Sequence, residues 1–125
     1  MSRSPTAAII DIAASNNVTL QDAFQFGTAG DTSWSFTGQN FKLEIKASRD
    51  DVAPLITLAS TSGKIVVDDA VQRILHLNVD ETTLQASLNV GEYVYDLVMY
   101  DGGTPPIRVL LMQGKFCLSQ GVTED

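Results

Sequence analysis

The last third of the chain carries the pattern that most restricts what it can fold into. From Gly91 the sequence reads GEYVYDLVMY, then DGGTPP, then IRVLLMQGKFCL. In the first run, aromatic and aliphatic residues recur at every second position from Tyr93 to Met99, which is typical of a half-buried strand. The Gly/Pro-rich segment predicts a turn, because prolines donate no backbone hydrogen bond. Residues 107–118 are apolar again, so the stretch predicts a β-hairpin, in which Gly114 marks a bulge or a close backbone approach.

The same period of two recurs upstream. Across residues 41–47, apolar side chains alternate with Lys42, Glu44 and Lys46, as in an antiparallel strand with one face in water. Residues 71–79 place one set on a common face: Arg73, Leu75, Leu77 and Val79. Shorter runs bounded by turn residues predict further strands within residues 18–26, 54–59 and 64–67. Residues 6–14 could form a strand or a short helix, and the β-branched Ile9, Ile10 and Ile12 favour a strand. One short helix is expected over residues 80–88, with Asp80 as its N-cap.

These elements predict an all-β protein, an antiparallel β-sandwich of about eight short strands with at most one short helix. One core is expected to contain Phe41, Leu43, Ile45, Tyr95, Leu97 and Leu111. A chain of 125 residues has the size of one domain. We therefore expect residues 1–125 to form a single domain, with a frayed N-terminus at residues 1–5. No apolar run is long enough for a transmembrane helix, and the N-terminus is a poor signal peptide.

The charge balance restricts the partners. Eight basic and fifteen acidic residues give a net charge of −7. Binding to nucleic acid or to anionic lipid needs a basic surface, so neither nucleic acid nor membrane insertion is expected. The general interpretation of this charge is solubility. The more specific alternative is that it forms an acidic docking face for a basic partner.

Residue types that carry catalysis are sparse. The one histidine, His76, lies mid-strand without a local partner for general-base chemistry. The one cysteine, Cys117, lies between two apolar residues and is expected to be a buried, inert thiol. No Cys/His spacing suits zinc, and the acidic pairs near turns are expected to be solvated rather than calcium ligands. We therefore expect no enzymatic activity, no catalytic residue, no metal and no cofactor.

The order of short motifs along residues 18–123 carries a family resemblance. The dipeptide TG at 37–38 leads into FKLEIK, and SGKI at 62–65 turns into a strand. Residues 80–88 then precede glycine, an aromatic residue, Tyr-Asp-Leu, the turn, an apolar strand with a late glycine, and Val-Thr. This order resembles a small β-sandwich domain of tailed-phage virions, typified by the N-terminal domain of the upper baseplate protein of lactococcal phages.

The resemblance implies a non-enzymatic structural component of a bacteriophage virion. It would be a tail, baseplate or tail-fibre adaptor that docks to neighbouring virion proteins and supports host recognition. Such a protein would be made in the host cytoplasm, be located in the virion, and be present in multiple symmetric copies. Two alternatives remain open: a capsid decoration protein, and a carbohydrate-binding module that stacks sugar rings on exposed Trp and Tyr.

The hairpin turn is the expected partner contact. Tyr100 precedes it as an aromatic anchor, and its prolines limit the entropy lost on docking. A plain solvent-exposed turn is the alternative interpretation. The candidate docking residues are Tyr100, Asp101, Gly102, Gly103, Thr104, Pro105 and Pro106.

Overall fold

The chain folds mostly into β-structure. This computed structural model describes residues 8–16, 18–26, 30, 34–51, 53–103 and 108–120. Their strands are β1 (Ala8–Ile9), β2 (Ile12–Ser15), β3 (Ala23–Gln25), β4 (Asn40–Lys46), β5 (Ile56–Ala59), β6 (Ile65–Asp69), β7 (Ile74–Leu77), β8 (Gly91–Tyr100) and β9 (Arg108–Ser119). A 3₁₀ turn spans Ser60–Ser62, and the helix α1 spans Glu81–Ser87. The predicted all-β class and the predicted short helix with Asp80 as N-cap are confirmed.

The strands form two sheets. The larger sheet has the order β1-β9-β8-β4-β5, with β2 also paired to β9, and the smaller has the order β3-β7-β6. Most pairs are antiparallel, but β1 and β2 run parallel to β9. The prediction of wholly antiparallel pairing is therefore wrong at this edge. No hairpin joins the N-terminal strands to β9, and the long intervening chain permits either direction.

The predicted hairpin of β8 and β9 is confirmed. The two strands pair from Gly91 opposite Leu118 to Tyr100 opposite Arg108. A register shift follows Leu97, which pairs with Met112 while the next residue pairs with Leu110. The extra residue, Leu111, forms a bulge, so Leu111 and Met112 are both buried although they are adjacent.

Gly114 lies where the N-terminal edge comes closest to this hairpin. A Cβ at Gly114 would be 2.2 Å from the carbonyl oxygen of Ile10, so the predicted close approach is confirmed. Tyr95 pairs with Gly114 across the strands and donates its hydroxyl hydrogen bond to the same Ile10 carbonyl. The ladder is interrupted beside it, where the Asp11 carboxylate accepts the Lys115 N–H at 3.0 Å. Burial, and then the Asp11 charge, raises the pKa of the Tyr95 phenol well above its ordinary value.

Both sheets contribute to one hydrophobic core. All six residues predicted for the core are buried within a single cluster. The cluster also contains Leu75 and Leu77 of β7, Ile65 of β6 and Leu84 of α1. In both β4 and β7, the alternation therefore turns apolar side chains toward one shared core.

Arg73 is the one buried charged residue in the described part of the chain. It shares a face with Leu75, as predicted, and that face is buried. The Arg73 Nε donates to the Phe26 carbonyl at 2.7 Å, and Nη1 donates to the carbonyls of Val71 at 2.9 Å and Trp34 at 3.1 Å. The guanidinium lies 5.1 Å from the Trp34 ring centroid. Arg73 thus ties the turn before β7 to two segments distant in sequence.

Candidate docking surface at the hairpin turn

The candidate surface begins with a stacked pair at the end of the hairpin. Tyr100 is the last residue of β8 and pairs with Asn40 on one side and Arg108 on the other. The Arg108 guanidinium lies 5.8 Å from the Tyr100 ring centroid. Tyr100 is half-buried and Arg108 is exposed, so the two side chains offer a cation above an aromatic face beside solvent.

The first part of the turn is ordered by its own aspartate. The Asp101 carboxylate accepts a hydrogen bond from the Gly103 N–H at 3.0 Å, which is the usual Asx-turn contact. Gly102 and Gly103 are exposed, while Asp101 is partly covered. The remaining candidates, Thr104, Pro105 and Pro106, lie outside the described residues. The structure therefore brings together four of the seven predicted docking residues.

Arg108 completes this surface and was missed by the sequence analysis. Its place opposite Tyr100 depends on the register of the hairpin, which the length of the turn alone does not fix. Tyr and Arg are both enriched at the centres of protein interfaces. The surface thus presents the Arg108 guanidinium and the Tyr100 ring to a partner.

The other aromatic side chains considered for a sugar-stacking face are engaged elsewhere. Trp34 contacts Arg73 and packs edge-on to Phe36 at 5.8 Å between ring centroids. Tyr95 is buried, and the Tyr93 hydroxyl donates to the Asn89 carbonyl at 2.7 Å. These contacts hold the rings in or against the core, so they do not form a flat exposed row.

The outer face of the larger sheet contains a pair of like charges. Glu44 of β4 and Asp96 of β8 lie directly opposite each other, with Lys46 and Arg49 beside the same shallow cleft. Burial is the main cause that raises the pKa of Asp96, and the neighbouring Glu44 charge raises it further. Lys46 and Arg49 act in the opposite direction. Ionising both carboxylates therefore costs free energy in the folded protein.

His76 and Cys117 lie on outward faces of different sheets. The His76 Nδ1 is 2.8 Å from an Asp68 carboxylate oxygen, a partner that the sequence analysis did not identify because its predicted strand there ended at residue 67. Asp68 instead belongs to β6, beside a register shift. Cys117 is partly exposed, so the expectation of a buried thiol is wrong. Its neighbours Phe116 and Leu118 take the inward positions of β9.

Among the described residues, no group of three or more His, Cys, Asp or Glu side chains is placed to hold a metal ion. The one α-helix in this part of the chain is too short and too polar to cross a lipid bilayer. No protein-family model matches the chain, and no curated protein matches it significantly.

Proposed function

We propose that the protein is a non-enzymatic structural component of a bacteriophage virion, in a tail, baseplate or tail-fibre assembly. The observation that carries this proposal is the order of motifs over residues 18–123, which resembles a virion β-sandwich domain. The protein would act as an adaptor that docks to neighbouring virion proteins and supports host recognition.

The fold that belongs to this function is a β-sandwich. Two observations support it. Inward side chains of β4 and β8 in the larger sheet share one core cluster with those of β6 and β7 in the smaller sheet. The chain also passes from β5, an edge strand of one sheet, through a single 3₁₀ turn to β6, an edge strand of the other. That connection suits two facing sheets.

Docking would use the surface formed by Tyr100, Asp101, Gly102, Gly103 and Arg108. A half-buried ring is already held in place by its strand, so little conformational entropy would be lost when a partner covers it. The Arg108 guanidinium would favour a partner carboxylate or aromatic ring, and it would orient the encounter more than tighten it.

Mass spectrometry of purified phage particles tests the assignment. We expect the protein to co-purify with the particles through a density gradient, at a copy number that is a multiple of the symmetry of one sub-assembly. Absence from particles whose other tail proteins are detected would reject the virion assignment. Binding on a glycan array together with that absence would favour the carbohydrate-binding alternative.

One variant and its control test the docking surface independently of the virion assignment. Tyr100→Ala should reduce incorporation into particles while leaving the melting temperature near the wild-type value, because the ring is only half-buried. Val90→Ala is the matched control, because Val90 is also exposed and lies beyond the opposite end of β8. Normal incorporation of the Tyr100 variant would exclude this surface and leave the virion assignment standing.

A further inference from the structure

The two sheets end in edge strands, and two of these edges carry features that discourage further pairing. In the described residues the edges are β1 with β2, β5, β3 and β6. The β6 edge ends in a register shift and the carboxylates of Asp68 and Asp69. At the end of β5 the chain itself occupies the edge, because the Ala59 carbonyl accepts hydrogen bonds from the Lys64 N–H and the Ser62 hydroxyl. Bulges, charges and covering segments are the usual protections of an edge.

The β2 edge lacks these protections. Its four residues read Ile-Ala-Ala-Ser, with neither a charge nor a proline. In a parallel pair, alternate residues point both their N–H and their C=O toward the neighbour. The N–H groups of Ile10 and Asn16 bond to β9, so the even-numbered residues face β9 and the odd-numbered ones face away. The peptide groups of Ala13 and Ser15 therefore point outward, and no other described residue bonds to them.

A cleft runs along this open edge. Its volume is about 240 Å³, and it is lined by Ala13 and Ser15 of β2 and by the segment that follows, including Leu20 and Asp22. The side chain of Val18 at the cleft is 51% exposed, so it is accessible for an apolar contact with a partner. The exposed Asp22 carboxylate has no ion pair with any other described residue. The cleft thus combines open backbone groups, an apolar contact and one free anion.

We propose that the β2 edge is a strand-addition site for an extended peptide segment of a partner protein that carries Lys or Arg. Backbone hydrogen bonds to Ala13 and Ser15 would supply the pairing, as in other complexes formed by β-strand addition. The basic side chain would reach Asp22. A second copy of this chain is a poorer occupant, because it would bring another net charge of −7 to an acidic surface. This site is distinct from the hairpin turn, since it lies at the other end of β9 and does not depend on the virion assignment.

Two short synthetic peptides provide the probe, one with alternating Val and Lys and one with alternating Val and Glu. In an NMR titration to millimolar peptide, we expect the Val/Lys peptide to shift the amide signals of Ala13 and Ser15. It should also slow their hydrogen exchange at least about tenfold, whereas the Ala14 amide, which already faces β9, should change little. The Val/Glu peptide should bind more weakly. Failure of the Val/Lys peptide to protect Ala13 and Ser15 would overturn the proposal.

Proline substitutions separate pairing from charge attraction. Ala13→Pro removes an outward N–H and is compatible with an edge strand, and we expect it to raise the peptide Kd about tenfold. Thr57→Pro is the matched control, because the Thr57 peptide group, like that of Ala59, points away from β4 at the β5 edge. Removing the Thr57 N–H should leave the peptide Kd unchanged. Asp22→Asn, which leaves the strand intact, should raise the Kd about two- to fivefold. An unchanged Kd in the Asp22 variant and in a folded Ala13 variant would mean non-specific attraction and would reject the site.

Discussion

Gly114 has no Cβ, and a Cβ at this position would lie only 2.2 Å from the carbonyl oxygen of Ile10. The neighbouring atom belongs to backbone, so Gly114→Ala can be accommodated only if the N-terminal edge moves away from β9. We expect the free energy of unfolding to fall by about 2–4 kcal/mol, which urea denaturation would measure. Gly102→Ala is the control, because space is open there and the change should stay within about 0.5 kcal/mol. Equal stability of the two variants would contradict the close approach.

Arg73 acts through hydrogen bonds that no other residue type can reproduce. Replacing it with Met keeps the volume but leaves the carbonyls of Phe26, Val71 and Trp34 without the guanidinium donors. Buried acceptors without donors cost free energy, so Arg73→Met should lower the free energy of unfolding by about 2–4 kcal/mol.

The control for this prediction is Arg73→Lys. Lysine keeps the charge but lacks the planar fork, so it should recover only part of the loss. Both variants share the backbone cost of the left-handed conformation at this position, where φ is 59°. A Met variant as stable as wild type would mean that the guanidinium contacts contribute nothing net.

At the scale of paired strands, the opposition of Glu44 and Asp96 makes stability depend on pH. The pKa of Asp96 is raised above 3.8 in the folded protein, mainly by burial, so the folded state holds this proton more tightly than the unfolded state. Stability from this group is therefore present at low pH and is lost as pH rises through the folded pKa. Asp96→Asn, which cannot ionise, should be more stable than wild type at neutral pH.

The pH window tests this assignment. The difference in melting temperature between Asp96→Asn and wild type should vanish below pH 3.8, the ordinary value for this carboxyl, and reach its full size above the raised pKa. Glu44→Gln in the same comparison should reduce the difference, because it removes the second cause of the shift. A difference that is constant with pH would show that packing rather than ionisation separates the variants.

Paired strands also show which parts of the fold the sequence can predict. The hairpin of β8 and β9 follows from alternation and turn residues within one stretch, and so does the inward set of β4. The parallel pairing of β2 with β9 has no such signal, because the two strands lie at opposite ends of the chain. Arg73 was placed on the correct face, yet its carbonyl partners come from loops that periodicity does not locate. Arg108 was missed because only the register of the hairpin brings it to Tyr100.

At the scale of the whole molecule, the single core couples the two sheets. Buried residues of β7 in the smaller sheet belong to the same cluster as those of β4, β8 and β9 in the larger one. The smaller sheet has only three short strands, and loss of the larger sheet would expose the apolar side chains that it buries in the shared core, such as Leu75 and Leu77. It should therefore not stay folded once the larger sheet has lost its packing.

Coupling through one core predicts a single cooperative unfolding transition. Trp34, the one tryptophan of the chain, contacts Arg73 beside the smaller sheet, whereas most of the strand residues belong to the larger sheet. Tryptophan fluorescence therefore reports mainly on one sheet and far-UV circular dichroism mainly on the other. In urea, the two signals should give the same midpoint and the same slope, as a two-state transition requires. A fluorescence midpoint well below the dichroism midpoint would instead mean that the smaller sheet and its Arg73 contacts unfold as a separate unit.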